Sequence, residues 1–497
     1  MGVLSEVRGY YGKVKLYING GFRESDTDQY LSVMNPAYDR GIGKVPIATS
    51  DEVDEAVESA VEAFEYWRDA PIPERVQTLF RLKEVAEKYK EELARIIAQN
   101  HGKHIREARG EMRRMIENIE AAIGAAYILE KGEYLREVAP GIDEYVVREP
   151  LGVFAIICPF NFPLMVPFWF IPYALAVGAT VVVKPSELTP IPFYWFNRLI
   201  HEAGIPRGII NVVYGDGRVG SELIRHRDIV GVAFVGSTPV AKKIYSEASR
   251  YGKRCLLQAG AKNYAIVMPD ARIDYTIENL LNSFYGNTGQ RCLANAVLIP
   301  VGDVYEKIVP RFIDASRRLR LGYGLDEDVD MTPLVSRAAL ERVVKYIEIG
   351  IDEGAKLTLD GRGMRPPEYP DGYFIGPTVF EDVTPDMRIA REEIFGPVAS
   401  IIKCESLDEA IEVANSTPYG NAASIFTSSG HAVRRFRDRI AAGNIGINIG
   451  VAAPMAFYPF AGMKESFFGV VHGQITSIYF FTDIKVVIER WWEGSNQ

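Results

Sequence analysis

The sequence predicts an α/β protein, with two α/β domains built on open, largely parallel sheets and a small β arm. Three observations predict it. From residue 151 short, uniformly apolar stretches alternate with helical ones, the rhythm of parallel strands buried on both faces and joined by crossover helices. A second series of the same kind runs from about 263 to 450. Between the opening helices and the first series lies 133–150, where two extended stretches flank Pro140-Gly141 and polar residues alternate, which reads as a β-hairpin.

At 497 residues the chain is too long for one small core, and two or three domains are expected. Apolar residues make up 47% and charged residues 24%, ordinary for a soluble globular protein. The net charge of −9 leaves no basic footprint for nucleic acid or an anionic membrane. The four cysteines, at 158, 255, 292 and 404, include no CxxC pair and suit a reducing, cytoplasmic location. The opening Met-Gly-Val-Leu-Ser-Glu-Val-Arg carries no signal-peptide pattern. The most apolar region, Phe160 to Val183, is broken by Asn161, Pro163, Pro167, Pro172 and Gly178, and reads as a buried helix and strand rather than a membrane span.

In chain order, 15–24 reads as an edge strand and turn. A helix starts at Ser50, which can cap it, with Asp51 and Glu52 in the first turn. Val53, Ala56, Val57, Ala60, Val61 and Phe64 then share one face. Two amphipathic helices follow, over about 74–100 and 104–128; the second is densely charged, and most of that charge reads as a solvated face. The hairpin at 133–150 has edges that need covering and suits an interface arm. The first α/β series has strands at 152–158, 179–184, 209–214 and 230–235, with helices at 164–177, 191–204, 218–226 and 238–250. The second has strands near 264–268, 296–300, 398–403, 422–427 and 444–449. The stretch from Ser477 to Ile488 reads as a strand suited to pairing with the hairpin of a neighbouring subunit. Internal repeats and low-complexity linkers are lacking.

The chemistry centres on Gly286-Asn-Thr-Gly-Gln-Arg-Cys-Leu-Ala294. Cys292 follows a Gly/Asn/Thr-rich approach and stands directly behind Arg291, and a nearby cation lowers a thiol's pKa from about 8.5. The competing reading is a small buried cysteine at a helix end. Gly215-Asp-Gly-Arg-Val-Gly220 matches G-x-G-x-x-G, either a pyrophosphate cradle or a turn that tightens helix–sheet packing; no acid follows in Val235 to Val240. Lys184-Pro-Ser186-Glu187 sits at the carboxyl end of a strand, where open α/β sheets bind ligands, so Lys184 and Glu187 suit ribose hydroxyls or phosphate. Gly236-Ser237-Thr238 precedes a helix and offers either a phosphate site or a simple N-cap. In Cys158-Pro-Phe160-Asn161-Phe-Pro163 the Asn161 amide can donate to a developing oxyanion. Glu392-Glu393-Ile-Phe395-Gly-Pro397 puts two acids before a turn, as structural, metal-binding or sugar-binding groups. No His/Cys/Asp/Glu cluster has metal-ligand spacing, so no metal site is expected.

Pro-Phe-Asn-Phe-Pro, Lys-Pro-Ser-Glu, Gly-Ser-Thr, Gly-Gln-Arg-Cys and Glu-Glu-Ile-Phe-Gly-Pro stand in the order and spacing of the aldehyde dehydrogenase superfamily, which the chain resembles over nearly its whole length. The resemblance implies that Cys292 is the nucleophile that forms a thiohemiacetal and then, after hydride transfer to nicotinamide, a thioester. It implies an oxyanion hole from Asn161 and the Cys292 N–H. It assigns Lys184, Ser186 and Glu187 to the adenosine side of NAD+ or NADP+, Gly236 and Ser237 to the pyrophosphate, Glu393 to the nicotinamide ribose, and Phe160 and Phe395 to the nicotinamide pocket. The family's phosphate contacts differ from the standard dinucleotide mode, so the 215–220 loop need not hold pyrophosphate. The implied domains are 1–130 with 151–259 for the cofactor and 260–450 for catalysis. An oligomerisation arm of 131–150 and 475–497 would build a homodimer or homotetramer.

The family pattern has a Glu before Leu-Gly-Gly-Lys to activate water. Here the stretch is Leu257-Gln258-Ala-Gly-Ala-Lys-Asn263, and a carboxamide takes no proton at neutral pH. Gly260 to Asp270, Gly-Gln-Arg-Cys and Ser466-Phe-Phe-Gly469 resemble the methylmalonate-semialdehyde dehydrogenase branch, which transfers its acyl group to coenzyme A. That branch grips the substrate carboxylate with two arginines, and Arg114 and Arg291 resemble them. A surface salt bridge is the competing role for Arg114. Departures are Leu188, where that branch often has Arg, and Ala241, where a Gly is usual. An Arg before the cysteine also resembles the non-phosphorylating glyceraldehyde-3-phosphate dehydrogenases. Aromatic Trp169, Phe457 and Tyr458 suit a narrowed mouth. Glu187 would repel a 2′-phosphate, which favours NAD+, although a swung-aside Glu187 would leave Lys184 for NADP+. The expected substrate is an acidic aldehyde. The alternatives are free-acid release without coenzyme A, and a dinucleotide-binding relative without turnover.

Overall fold

Parallel strands need apolar cover on both faces, and both predicted series have it. The structure, a computed structural model, describes residues 2–491. The first sheet has eight strands in the order Gly21–Arg23, Leu16–Ile18, Ile210–Val212, Thr180–Lys184, Val153–Ile157, Ile229–Val235, Arg254–Gln258 and Phe467–Gly469. Its five central strands are mutually parallel, while both ends are closed by antiparallel pairing. The second sheet has seven strands in the order Lys356–Leu359, Thr378–Glu381, Val398–Ile401, Asn295–Pro300, Asn263–Val267, Ala422–Phe426 and Asn444–Ile447, all parallel but the first. Every residue of Val153–Ile157, Thr180–Lys184 and Asn263–Val267 is buried, as their apolar centres predict, and the polar ends Thr180, Lys184 and Asn263 are buried with them.

The helix Ser50–Trp67 covers the first sheet with Val53, Ala56, Val57, Ala60 and Trp67. Its cap is Thr49, not Ser50. Thr49 Oγ1 accepts from Glu52 N while Glu52 Oε2 accepts from Thr49 N, a reciprocal pair that needs Glu at the third helical position. Helices Ile72–His101 and Ile105–Ile128 pack on each other. Most charges of the second reach solvent at least in part, as expected, but Glu111 is buried, together with the polar Asn118, among Met112, Met115, Ile116 and Ile119. The expected helix over 164–177 is two pieces, a 3₁₀ turn Pro167–Trp169 and a helix Ile171–Val177. Pro167 and Pro172 lack the N–H groups a continuous helix needs, and they stand as the first residue of one piece and the second of the other.

The arm is the three-stranded sheet Thr482–Arg490, Ile142–Pro150, Tyr134–Ala139. Thr482–Arg490 runs antiparallel to Ile142–Pro150 from Thr482↔Pro150 to Arg490↔Ile142. This corrects the expected pairing with a neighbouring subunit's hairpin, and the expected strand over 477–481 is corrected as well. Ser477–Phe480 is a helical turn, anchored by Ser477 Oγ donating to the Trp169 carbonyl at 2.8 Å. Leu151 N donates to the Phe481 carbonyl at 3.1 Å, so the turn delivers the last strand beside its own hairpin. Residues 492–497 of the predicted arm lie outside the described residues. Ile484, Val486 and Ile488 line one face of the last strand and are more than half exposed. Among the described residues no helix is long and apolar enough to cross a membrane.

Trp67 is fully buried, and its Nε1 donates to the Leu175 carbonyl at 3.2 Å, joining the first helix to Ile171–Val177. Trp67→Ala leaves a cavity and removes one of the two hydrogen bonds to the Leu175 carbonyl, the other being from Gly178 N, and is expected to cost about 3–5 kcal/mol, read as a lowered urea midpoint in denaturation followed by fluorescence and circular dichroism.

Candidate active site

Numbered in chain order, the five parallel strands of the first sheet lie 3-2-1-4-5, and the order reverses between Val153–Ile157 and Ile229–Val235. Open α/β sheets bind ligands in the crevice beyond the carboxyl ends at such a reversal. Phe160 and Asn161 follow the first of these strands, Lys184 ends the second, and Gly236 and Ser237 follow the fourth. The fifth, Arg254–Gln258, runs through Ala259–Lys262 straight into Asn263–Val267 of the second sheet. The carboxyl edge of one sheet therefore meets the amino edge of the other. Cys292 precedes Asn295–Pro300 at that second edge.

The loop leading to Cys292 is strained. Asn287 and Thr288 both have φ of 51°, uncommon for Asn and an outlier for β-branched Thr. Thr288 Oγ1 anchors it on the Thr332 carbonyl at 2.6 Å. One glycine is demanded by space: a Cβ at Gly289 would lie 2.3 Å from the Gly396 carbonyl oxygen. The Cys292 carbonyl accepts from Asn263 Nδ2 and from Asn421 Nδ2, each at 2.8 Å. Asn161 Nδ2 donates to the Gln290 carbonyl at 3.0 Å, so its amide is aimed at the same loop with one N–H left over.

Cys292 opens on a cavity of about 230 Å³ whose lining includes Glu107, Arg114, Phe162, Trp169, Arg291 and Phe460. Arg114 and Arg291 thus stand around one space with the cysteine. Neither is bare: Arg291 Nη2 pairs with Glu107, and Arg114 Nη1 pairs with Glu117 at 2.8 Å. A guanidinium has five N–H donors, so each keeps some for a ligand. Trp169 stacks on Phe460, with centroids 4.4 Å apart, and walls the cavity, whereas Phe457 and Tyr458 are exposed.

The expected activation of the thiol by Arg291 is corrected. Desolvation, followed by the Glu393 carboxylate, pushes Cys292 up to about 12; the N–H groups of Cys292 and Leu293 and the Arg291 charge oppose this and lose. Arg291 spends much of its charge on Glu107.

On the other side of the cleft, Phe160 and Phe395 meet edge to face at 5.8 Å, and His101 stacks on Phe160 at 6.0 Å. Phe395 holds φ of 58°, an outlier for a bulky residue. The two acids of the Glu-Glu pair part company. Glu392 is bound by Arg388 Nε at 2.8 Å and Tyr346 Oη at 2.6 Å, whereas Glu393 turns inward and accepts Ala261 N at 2.8 Å. Burial raises the Glu393 pKa. Beside it, burial lowers the Lys262 amine to about 7 against the pull of Glu393 and Glu392, and Lys262 Nζ has no hydrogen-bond partner among the described residues.

Lys184 Nζ donates to the Gly215 carbonyl at 2.7 Å and to Glu187 Oε2 at 3.3 Å. Ser186 Oγ accepts Leu188 N at 3.3 Å, which shapes the turn that presents Glu187. Ser237 is exposed at the start of Thr238–Arg250, and its side chain caps nothing, so its hydroxyl and the first N–H groups are free. Gly236 is tight: a Cβ there would meet the Phe234 ring at 2.3 Å. The Gly215–Gly220 loop serves packing. A Cβ at Gly215 would lie 2.4 Å from Val219 Cγ2, and the helix start is capped by Asp216, whose Oδ1 accepts Arg218 N at 2.9 Å. Gln258 is buried; Nε2 donates to the Phe460 carbonyl at 2.8 Å and Oε1 has no partner among the described residues.

Lys103, Glu107, Glu111, Asn263 and Asn421 touch the site but were not singled out by sequence. Glu107, Glu111, Arg114 and Asn118 recur at 4, 3 and 4 residues, one face of a helix, and that spacing was the available signal.

The Aldehyde dehydrogenase family model matches residues 22–487. Malonate-semialdehyde dehydrogenase 2 of Geobacillus kaustophilus is 44% identical over 479 residues, 96% of this chain and 99% of the relative. The crystal structure of methylmalonate-semialdehyde dehydrogenase from Oceanimonas doudoroffii superposes with a TM-score of 0.95 at 39% identity, covering 97% of this chain and 99% of that one. The NAD+ complex of an aldehyde dehydrogenase from Bacillus cereus superposes with a TM-score of 0.93 at 32% identity, covering 99% of this chain and 100% of that one. The two-sheet fold, the cysteine loop at the junction and these matches along nearly the whole chain lead to one conclusion: the protein belongs to the aldehyde dehydrogenase family.

Proposed function

We propose that the protein is an NAD+-dependent semialdehyde dehydrogenase that oxidises an aldehyde bearing a carboxylate and passes the acyl group to coenzyme A. The observation that carries this reading is the single cavity shared by Cys292, Arg114 and Arg291. A small 3-oxo acid such as malonate or methylmalonate semialdehyde puts its carboxylate a few bonds from its aldehyde carbon, and so suits a site with guanidinium and thiol on one cavity. The names of the relatives point the same way.

Cys292 Sγ attacks the aldehyde carbon. The C–S bond forms as the carbonyl π pair moves to oxygen, and Asn161 Nδ2 and the Cys292 N–H are the donors for that oxyanion. The cysteine rests as a thiol, so Sγ releases its proton to solvent water before it attacks as the thiolate. The cleft fits a dinucleotide: the uncapped Ser237 end suits the pyrophosphate, and Glu393 with the unpartnered Lys262 amine suits the ribose nearer the reaction. NAD+, when bound, supplies the hydride acceptor that turns the thiohemiacetal into a thioester. Glu187, half exposed beside Lys184, accepts from a 2′-hydroxyl and repels a 2′-phosphate, which favours NAD+. Gln258 carries no base for water, so the thioester is left for a thiolate acceptor; attack by the coenzyme A sulfur expels Cys292 as thiolate.

The deciding assay follows NADH and acyl-CoA formation from malonate and methylmalonate semialdehydes, with and without coenzyme A, beside a simple aliphatic aldehyde. Turnover is expected to require coenzyme A and to prefer the acids, and Cys292→Ala is expected to abolish it. Free acid formed at the same rate without coenzyme A would refute the acylating role. Arg114→Leu and Arg291→Leu each remove a charged hydrogen-bonding partner of the substrate carboxylate, worth about 1.5–3 kcal/mol. Each should raise KM for the acidic substrates by about 10–100-fold and leave the aliphatic aldehyde nearly unchanged. Alkylation of the ligand-free protein by iodoacetamide should be slow at neutral pH and still rising at pH 10, because a raised thiol pKa leaves little thiolate below it. Glu393→Gln, which removes a carboxylate that raises that pKa, should speed alkylation.

A further inference from the structure

We propose that the fully buried Lys103–Glu111 ion pair is a positioning device that sets the backbone of the Asn161 loop, and through it the direction of the Asn161 amide. The inference rests on the reading of Asn161 as an oxyanion donor.

Lys103 Nζ and Glu111 Oε2 are 2.8 Å apart, and both side chains are wholly shielded from solvent. A buried pair of this kind is a poor source of net stability, because desolvating two ions consumes most of their attraction. What it does is visible in its remaining contacts. Lys103 Nζ donates to the Asn161 carbonyl at 2.5 Å and lies 3.9 Å from the centroid of the Phe162 ring. Glu111 Oε1 accepts Leu164 N at 2.9 Å and Met165 N at 3.2 Å. The two charged groups thus hold the loop at 161, 162, 164 and 165. The remaining residue, Pro163, has no N–H to offer.

This segment lies beyond the end of the strand Val153–Ile157 and before the turn Pro167–Trp169, so no sheet ladder orients it. Holding the Asn161 carbonyl fixes the peptide plane and hence the Cα–Cβ direction that aims Nδ2 at the Cys292 loop. The Lys103 end is pinned in turn, with its N–H donating to His101 Nδ1 at 3.2 Å and Ile105 N donating to the Gly324 carbonyl at 2.8 Å. Burial lowers the Lys103 pKa, and the adjacent Glu111 charge and hydrogen bond hold it up, so the donor depends on its partner. One helix, Ile105–Ile128, then carries Glu111 for the oxyanion loop, Glu107 for Arg291, and Arg114 itself.

The test is a double-mutant cycle on the rate of the first-turnover NADH burst, at saturating NAD+ and aldehyde, with NAD+ affinity measured separately. Asn161→Ala should slow the burst by about 100–1,000-fold, as loss of an oxyanion donor does. Lys103→Met should slow it by about 10–100-fold, since a misplacement near 1 Å costs about that much, and should leave NAD+ affinity within about twofold. Combined, they should be no slower than Asn161→Ala alone within a factor of about 3, because Lys103 acts only through Asn161. A normal burst in Lys103→Met, or a double variant as slow as the product of the two single effects, would overturn the proposal while leaving the oxyanion reading intact. A normal burst in Asn161→Ala would overturn both. Where Lys103→Met does not fold, Lys103→Met with Glu111→Leu leaves no unpaired buried charge and enters the same cycle. If that pair also fails to fold, the ion pair is a folding element and the proposal falls.

Discussion

The site depends on one peptide carbonyl being held still. The Cys292 oxygen takes the side-chain amides of Asn263 and Asn421, which stand at the amino edge of the second sheet beside two different strands. Holding the carbonyl fixes the peptide plane between Cys292 and Leu293 and so anchors the end of the strained turn through Asn287 and Thr288. The first sheet adds its part from the opposite edge through Asn161, whose amide reaches the same loop at Gln290. Cys292 and Asn161 thus come from different sheets, which the short link between Gln258 and Asn263 joins edge to edge.

Electrostatics around this point are balanced before any ligand arrives. Arg291 is matched by Glu107, Arg114 by Glu117, and Lys103 by Glu111. Each arginine on the cavity is thus already paired with a resident acid, so the cavity offers guanidinium donors left over from an ion pair rather than bare charge. The thiol follows the same logic. With Arg291 engaged and Glu393 near, burial decides, and Cys292 rests protonated, the form least open to oxidation.

Local chemistry explains where reading and structure part. Ser50 and Thr49 are equivalent caps by residue type; the position of Glu52 selects Thr49. The apolar run after Pro163 looks helical throughout, but prolines 167 and 172 cut it into two pieces. The charge on Ile105–Ile128 looks solvated because charge usually is, yet Glu111 is buried by the loop it holds. In the last stretch the β-branched pattern identified a strand, while the partner was chosen by the turn Ser477–Phe480, which no periodicity reveals.

The two strand–helix series and the cysteine, asparagine and glutamate motifs were legible in the amino-acid sequence, because apolar runs and turn residues are local signals; which strand lies beside which, and the strands Lys356–Leu359 and Thr378–Glu381, were not. Arg114, Arg291 and the carboxamide at 258 were legible too, through their place in those motifs. The state of the thiol, the separation of Glu392 from Glu393, and the roles of Lys103, Glu107 and Glu111 were decided by tertiary structure alone. Burial and charge pairing are properties of what packs around a side chain, and for these residues the neighbours come from up to 184 positions away, as between Glu107 and Arg291.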